Sequence, residues 1–364
     1  MHKLIRSEVR ELSPYNAGLT IDEVQARYHP PRIAKLGSNE NPLGASPHVT
    51  TALASLAKAV ALYPDPSART VRVALAKSLD IDAEAIILGN GSEELIAAAC
   101  RAVLDPGDRM VTFYPSFPLH EDYATTMGAN VERVSVEADF SVPLDRLIAA
   151  GRGAKMMMFS NPMNPVGTWL ETGAFRKLVT TLSPETLLVV DEAYFEYAAG
   201  EVDFPSAIDM LRGSDLNWLV LRTLSKAYGL AGLRVGYGVC SSPELRSFLD
   251  RVRTPFNSNA AAQMAALAAL ADLDHLERGV VHNRSERVRI RSLLADNGFR
   301  VAPSKGNFLF VDVRQPASVV AEALLTRGVI IKPWRQAGFD HFIRVSIGSS
   351  DDNDFFVRSL LEVV

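Results

Sequence analysis

Short apolar runs recur through the middle of the chain: AIIL at 85–88, RMVTF at 109–113, KMMMFS at 155–160, LLVVD at 187–191 and NWLVL at 217–221. None alternates strictly with polar residues, so each reads as a strand covered on both faces. Between them lie helix-period stretches such as Glu93–Leu104 and Gly173–Leu182. This β-α alternation predicts an α/β domain with a doubly wound, mostly parallel sheet. In such sheets ligands sit beyond the carboxyl ends of the strands. Asn161, Asn164, Asp191 and Lys226 all follow predicted strand ends.

After Pro255 the pattern changes. An Ala-rich helix is predicted at 259–273 and a second through Leu294; the strands NFLFVDV and HFIRVSIG then flank the helix ASVVAEALLTRG. That is the pattern of a smaller α+β domain. Single cores stop growing at about 250–300 residues, so 364 residues suit two. The expected division is an N-terminal arm at 1–35 joining the small domain, a large domain at 36–254 and a small domain at 255–364. The segment YHPPRIAKLGSNENPLGASP, rich in Pro, Asn and Gly, reads as an irregular connector.

Charge narrows the partners. A net charge of −4 with interspersed signs offers no footprint for nucleic acid or for an anionic membrane, which leaves small molecules. Arg284, Arg287 and Arg291 recur at helical intervals and are expected to form one solvated face. Cys100 and Cys240 are the only cysteines, too few for a disulfide framework or a zinc site, so no metal is expected and both thiols should be reduced and buried. With no signal-like or membrane-length apolar run, a cytoplasmic location is expected.

The candidate chemistry centres on TLSKAYGLAGLR at 223–234. A lysine in a small polar loop after a buried strand can form a Schiff base with an aldehyde, and depressing its pKa raises its nucleophilicity. Thr223, Ser225 and Arg234 surround it with the donors a phosphate needs, so the aldehyde implied is pyridoxal 5'-phosphate. Lys226 as an ordinary surface lysine is the plain alternative. In GNGSEELI, Gly91, Ser92 and Glu93 open a helix after a strand, where free N–H groups bind phosphate. The same GxG would suit a dinucleotide, but Glu94 stands where a third glycine belongs.

Eight segments in order, SNENPLG, YPDP, GNGSEELI, YPSFPLH, SNPMNPVG, VVDEAY, TLSKAYGLAGLRVGY and IRVSIGS, span nearly the whole chain. Together they resemble the fold-type I pyridoxal-phosphate enzymes, and among the class I/II aminotransferases the histidinol-phosphate aminotransferase branch. The resemblance implies a role for each marker. Asp191 matches the partner of the pyridinium nitrogen, although a buried Asp can also cap a helix. Asn164 and Tyr194 match the residues that hydrogen-bond the ring's phenolic oxygen. Phe117 matches the ring that stacks on the cofactor, with core packing as its rival. Tyr63 matches a tyrosine reaching the phosphate of a neighbouring subunit, which implies a homodimer with shared sites. Arg344 matches the grip on the substrate carboxylate, and Tyr15, Asn39 and Asn307 match substrate contacts. Lys332 departs from the family, where arginine is more usual; a point charge replaces a fork, which bears on phosphate selectivity.

The expected activity is transamination between L-histidinol phosphate and 2-oxoglutarate, with Lys226 as the catalytic proton carrier. Aromatic-amino-acid transamination is the main rival, followed by threonine-phosphate decarboxylation. A non-catalytic regulatory domain of the same fold is the rival from another class.

Overall fold

Strand β1 (Ala34–Lys35) precedes the seven strands of the main sheet: β2 (Ile86–Asn90), β3 (Arg109–Tyr114), β4 (Asn130–Ser135), β5 (Met156–Ser160), β6 (Leu187–Asp191), β7 (Asn217–Thr223) and β8 (Val235–Cys240). These belong to a computed structural model that describes residues 4–364, so the first three residues of the expected arm lie outside the described residues. The strand order is β2-β8-β7-β6-β5-β3-β4. From β7 to β4 every neighbouring pair is parallel, and β8 alone runs antiparallel to both its neighbours. The fold is therefore α/β with a doubly wound, mostly parallel sheet.

The apolar runs become strands because helices cover both faces of the sheet. Every residue of β5 and β6 is buried. Two strands lacked that signature. β4 is a largely exposed edge with little apolar content. β8 carries glycines where backbone must approach closely: a Cβ on Gly236 would stand 2.2 Å from the Ser92 nitrogen. That contact joins the strand to the first turn of the helix Gly91–Val103.

A second sheet is formed by β9 (Arg300–Val301), β10 (Phe308–Asp312), β12 (Lys332–Pro333) and β13 (Phe342–Ser346), in the antiparallel order β12-β13-β10-β9. β11 (Val329–Ile330) pairs instead in parallel with β1. Alternation along β10 and β13 gives the sheet two apolar faces. Leu309, Val311, Ile343 and Val345 enter a core with the helices Ala317–Thr326 and Ser350–Val363. Phe310 and Phe342, stacked at 4.5 Å, join Trp334 in the main core. Arg344 shares their side of β13 and so faces the junction between the sheets.

The Ala-rich helix, Ala260–Leu270, is shorter than the pattern predicts. It sinks Ala262, Ala265, Ala266 and Ala269 into the main core, against the helices Pro47–Leu53 and Arg69–Leu79. The basic run also differs from expectation. Arg287 is buried, donates to the Gly306 carbonyl at 3.0 Å and pairs with Glu201, because its helix face meets the loop after Tyr197. Only Arg284 and Arg291 remain solvated. Cys100 and Cys240 are free and buried. Among the described residues no helix is long and apolar enough to cross a membrane, and no group of His, Cys, Asp or Glu is placed to hold a metal ion.

Candidate active site

The carboxyl ends of the parallel strands open onto a cavity of about 380 Å³. β6 ends in Asp191, which is buried. One carboxylate oxygen takes the Ala193 N–H at 3.1 Å, and the other lies 3.1 Å from His120 Nε2. The His120 Nδ1 has no partner, so a proton on Nε2 satisfies both groups of the contact. β7 ends in Thr223, whose hydroxyl meets that of Ser225 at 3.0 Å. One residue further, the Lys226 amine donates to the Ser38 carbonyl at 2.9 Å. Burial first, then the neighbouring Arg344, push its pKa down to about 7. Relative to an exposed lysine, far more of this amine is therefore neutral, and hence nucleophilic, near neutral pH.

The third wall is an anion site. Gly91 opens the helix Gly91–Val103 with φ +72°, and a Cβ there would lie 2.6 Å from the Arg234 guanidinium. Only glycine lets that guanidinium lie over the first turn, beside the helix N–H groups of Ser92 and Glu93. The Glu93 carboxylate takes the Tyr123 hydroxyl at 2.9 Å and stands 3.6 Å from Arg234. This anion beside the guanidinium keeps the arginine at the cavity edge.

Opposite, β13 and the 36–40 segment supply the remaining groups. The Tyr194 hydroxyl accepts from Asn39 at 3.0 Å and Asn164 at 3.3 Å, and burial pushes its pKa up to about 12. Arg344 is buried and has no carboxylate partner among the described residues. It donates to Asn164 Oδ1 and to the Gly37 carbonyl, both at 2.8 Å, while its Nε finds nothing. Lys332 donates to the Asn16 carbonyl and lies 5.6 Å from the centre of the Tyr15 ring. Burial and the nearby Arg344 and Arg335 push its pKa down to about 8. Phe117 forms a half-buried wall, edge-on to Tyr15 at 6.3 Å and to His120 at 5.5 Å.

The structure thus brings fourteen of the seventeen sequence-derived candidates to one cavity. Three stand elsewhere. Asn39 and Asn307 are fully buried behind the wall, where Asn307 donates to the Asn39 carbonyl at 3.0 Å and Asn39 supports Tyr194. Tyr63 is 82% exposed and stacks on Phe256 at 4.5 Å, outside the cavity. Sequence reasoning passed over His120 and Tyr123, although both lie in or beside YPSFPLH. The available signal was a histidine one helical turn after Phe117.

A buried acid, a half-buried lysine with a depressed pKa and a helix-terminus anion site, set at the carboxyl edge of this sheet, define a class: the fold-type I enzymes that work with pyridoxal 5'-phosphate. The comparisons narrow it. The family model for aminotransferase class I and II matches residues 31–360, and the chain belongs to that family. It is 57% identical to histidinol-phosphate aminotransferase 3 of Rhizobium meliloti over 360 residues, covering 99% of this chain and 97% of that protein. It is likewise 57% identical to histidinol-phosphate aminotransferase 1 of Mesorhizobium japonicum, covering 99% and 98%. Among solved structures, histidinol-phosphate aminotransferase from Sinorhizobium meliloti, in complex with pyridoxal-5'-phosphate, superposes with a TM-score of 0.89 at 30% identity, covering 99% of this chain and 97% of that one.

Proposed function

We propose that this chain transfers an amino group between L-histidinol phosphate and 2-oxoglutarate, with pyridoxal 5'-phosphate as its cofactor. The observation that carries the reading is Arg344: a buried guanidinium with no anion of its own, an unpartnered Nε and Lys332 close by. Such a cation is costly unless a ligand supplies the charge. A phosphate on one substrate and a carboxylate on the other both suit it.

The residues fit the cofactor. The glycine cradle under Arg234, with Ser92, Glu93, Thr223 and Ser225, would hold its phosphate; Asp191 would face the ring nitrogen, Asn164 and Tyr194 the phenolic oxygen, and Phe117 the ring face. When bound, the cofactor supplies an electron-withdrawing ring that stabilises negative charge developing at the substrate α-carbon. The chain's own groups do the rest. Arg344 and Lys332 orient the substrate by its anion, so that the α-hydrogen comes to Lys226. The Lys226 amine takes that proton as a base and returns one as an acid, for which a pKa near 7 is well matched. His120 holds the Asp191 carboxylate in place. Tyr15 stands at the cavity mouth beside Phe117 and Lys332.

Two further elements belong to this reading. A homodimer would bring Tyr63 to the partner's phosphate site, which its exposure and distance from the chain's own cavity support. A cytoplasmic setting would keep the free buried thiols reduced.

The deciding experiment is a single-turnover assay following conversion of the bound cofactor to its amine form, with histidinol phosphate, histidinol, phenylalanine and glutamate as donors. Histidinol phosphate and glutamate are expected to react fastest, and histidinol far more slowly, because it leaves the cations unpaired. Faster turnover of phenylalanine than of histidinol phosphate would replace this reading with an aromatic aminotransferase.

A further inference from the structure

A second cavity, of about 470 Å³, adjoins the first and shares Tyr15, Phe117, Lys332 and Arg344 with it as a common wall. The helix Pro118–Thr126 supplies one side: Pro118, Glu121, Asp122 and Thr125 follow the i, i+3, i+4, i+7 spacing of a single face. The segments 11–16 and 334–336 close the others.

Charge divides this cavity. At the common wall Lys332 feels the repulsion of both Arg344 and Arg335, so that end is cationic. On the helix face, Glu121 is already engaged: Arg133 grips one oxygen through Nε at 2.8 Å and Nη2 at 2.6 Å, and the Ser116 hydroxyl holds the other at 2.9 Å. Glu11 is exposed at the rim and stays hydrated. Asp122 differs from both. It is half-buried, and among the described residues no hydrogen-bond donor or cation is paired with it. Burial first and Glu121 second hold its carboxyl above the usual carboxylate range. A partly desolvated carboxylate without a donor is unfavourable, and a ligand that brings an N–H or a positive charge relieves it.

We infer that Asp122 is a specificity-determining residue, receiving a cationic or N–H-donating ring on the side chain of the amino donor, with imidazole as the fitting chemistry. The inference rests on the transamination proposed above. A donor held by its anion at Arg344 and Lys332, with its amine at Lys226, has only its side chain free to pass Phe117 and Tyr15 into the second cavity. An imidazole meets Asp122 with an N–H in either protonation state. An apolar ring would desolvate the carboxylate and offer it nothing, so the same residue selects against phenylalanine.

The test compares the wild-type holoenzyme with Asp122→Asn and Asp122→Leu, using histidinol phosphate, phenylalanine and glutamate in single-turnover assays. Asp122→Asn is expected to lower kcat/KM for histidinol phosphate about 10- to 100-fold, mainly through KM, while glutamate, whose side-chain carboxylate Asp122 repels, is unchanged or improved. Asp122→Leu should also raise phenylalanine turnover. If the wild type does not use histidinol phosphate, the transamination reading falls and takes this inference with it. If the wild type does use it and Asp122→Asn is indifferent, or loses equally on all three donors as a merely structural residue would, the inference alone is overturned. The near-isosteric Asn variant decides the matter even where the Leu variant fails to fold.

Discussion

Lys226 donates to a backbone carbonyl and lies beside the Arg344 cation, and both its burial and that neighbour favour the neutral amine. The sign follows directly: below about pH 7 the amine is protonated and inert, and above it the free base is present, well before an exposed lysine would lose its proton. Capture of pyridoxal phosphate by the apoprotein should therefore accelerate as pH rises through about 7, measured by stopped-flow absorbance. A midpoint near that of an exposed lysine would contradict this. Lys226→Ala should lower kcat by at least the roughly 10²–10⁴-fold typical of lost acid–base catalysis. Borohydride reduction of the wild-type holoenzyme should fix the cofactor on Lys226, read by peptide mass spectrometry. At this scale the sequence is legible where a residue is chemically out of place. An arginine on an apolar strand, as at 344, or a carboxylate ending a buried run, as at 191, announces a ligand or a partner. Asn39 and Asn307 were harder to place. An Asn is equally at home touching a substrate or bracing the residue that does, and only packing put these two behind Tyr194. His120 met Asp191 across 71 positions of sequence, a distance no local pattern reports.

Neighbouring strand ends divide their charges between the two faces of the sheet. Asp191 and Thr223 line the cavity, whereas the next residue of one and the preceding residue of the other, Glu192 and Arg222, form a buried pair with contacts of 2.8 and 2.9 Å. Arg222 also lies 3.4 Å from the centre of the Phe195 ring, so it is enclosed on all sides. Glu192→Ala should cost about 3–5 kcal/mol in urea unfolding, because it strands a buried guanidinium. Gly91→Ala acts differently. Its Cβ and positive φ both oppose the substitution, and the flexible Arg234 is the group that must move. Cofactor affinity, measured by equilibrium dialysis, should drop by about tenfold or more, with only a modest change in melting temperature. Elements buried on both faces were plain in the sequence as unbroken apolar runs. β4 and β8 were not, since an exposed edge and a glycine-spaced strand carry no such run, and the Ala-rich helix gave no hint of the core it would join.

On the surface of the whole molecule, Val60, Leu62, Tyr63 and Phe256 stand exposed near the YPDP turn, although each would be better buried. The proposed dimer would cover them. Mixing Lys226→Ala with Tyr63→Ala, each inactive alone, should restore activity through hybrid dimers in which one site receives both intact residues. No recovery after proven subunit exchange would overturn the shared site. The chain also joins its two sheets through one short stretch of backbone. Gly37 and Ser38 give consecutive carbonyls to Arg344 and Lys226, while the carbonyl of Leu36 and the amide of Asn39 both bond Ser346 on β13. Two peptide oxygens therefore act as placeholders for the guests that these cations are built to receive. Arrival of the cofactor at Lys226 would release one oxygen and arrival of substrate at Arg344 the other, and a freed carbonyl vibrates at higher frequency. An isotopic label at these two positions would make the backbone itself an infrared gauge of occupancy, at a point where the small sheet cannot help but register the change.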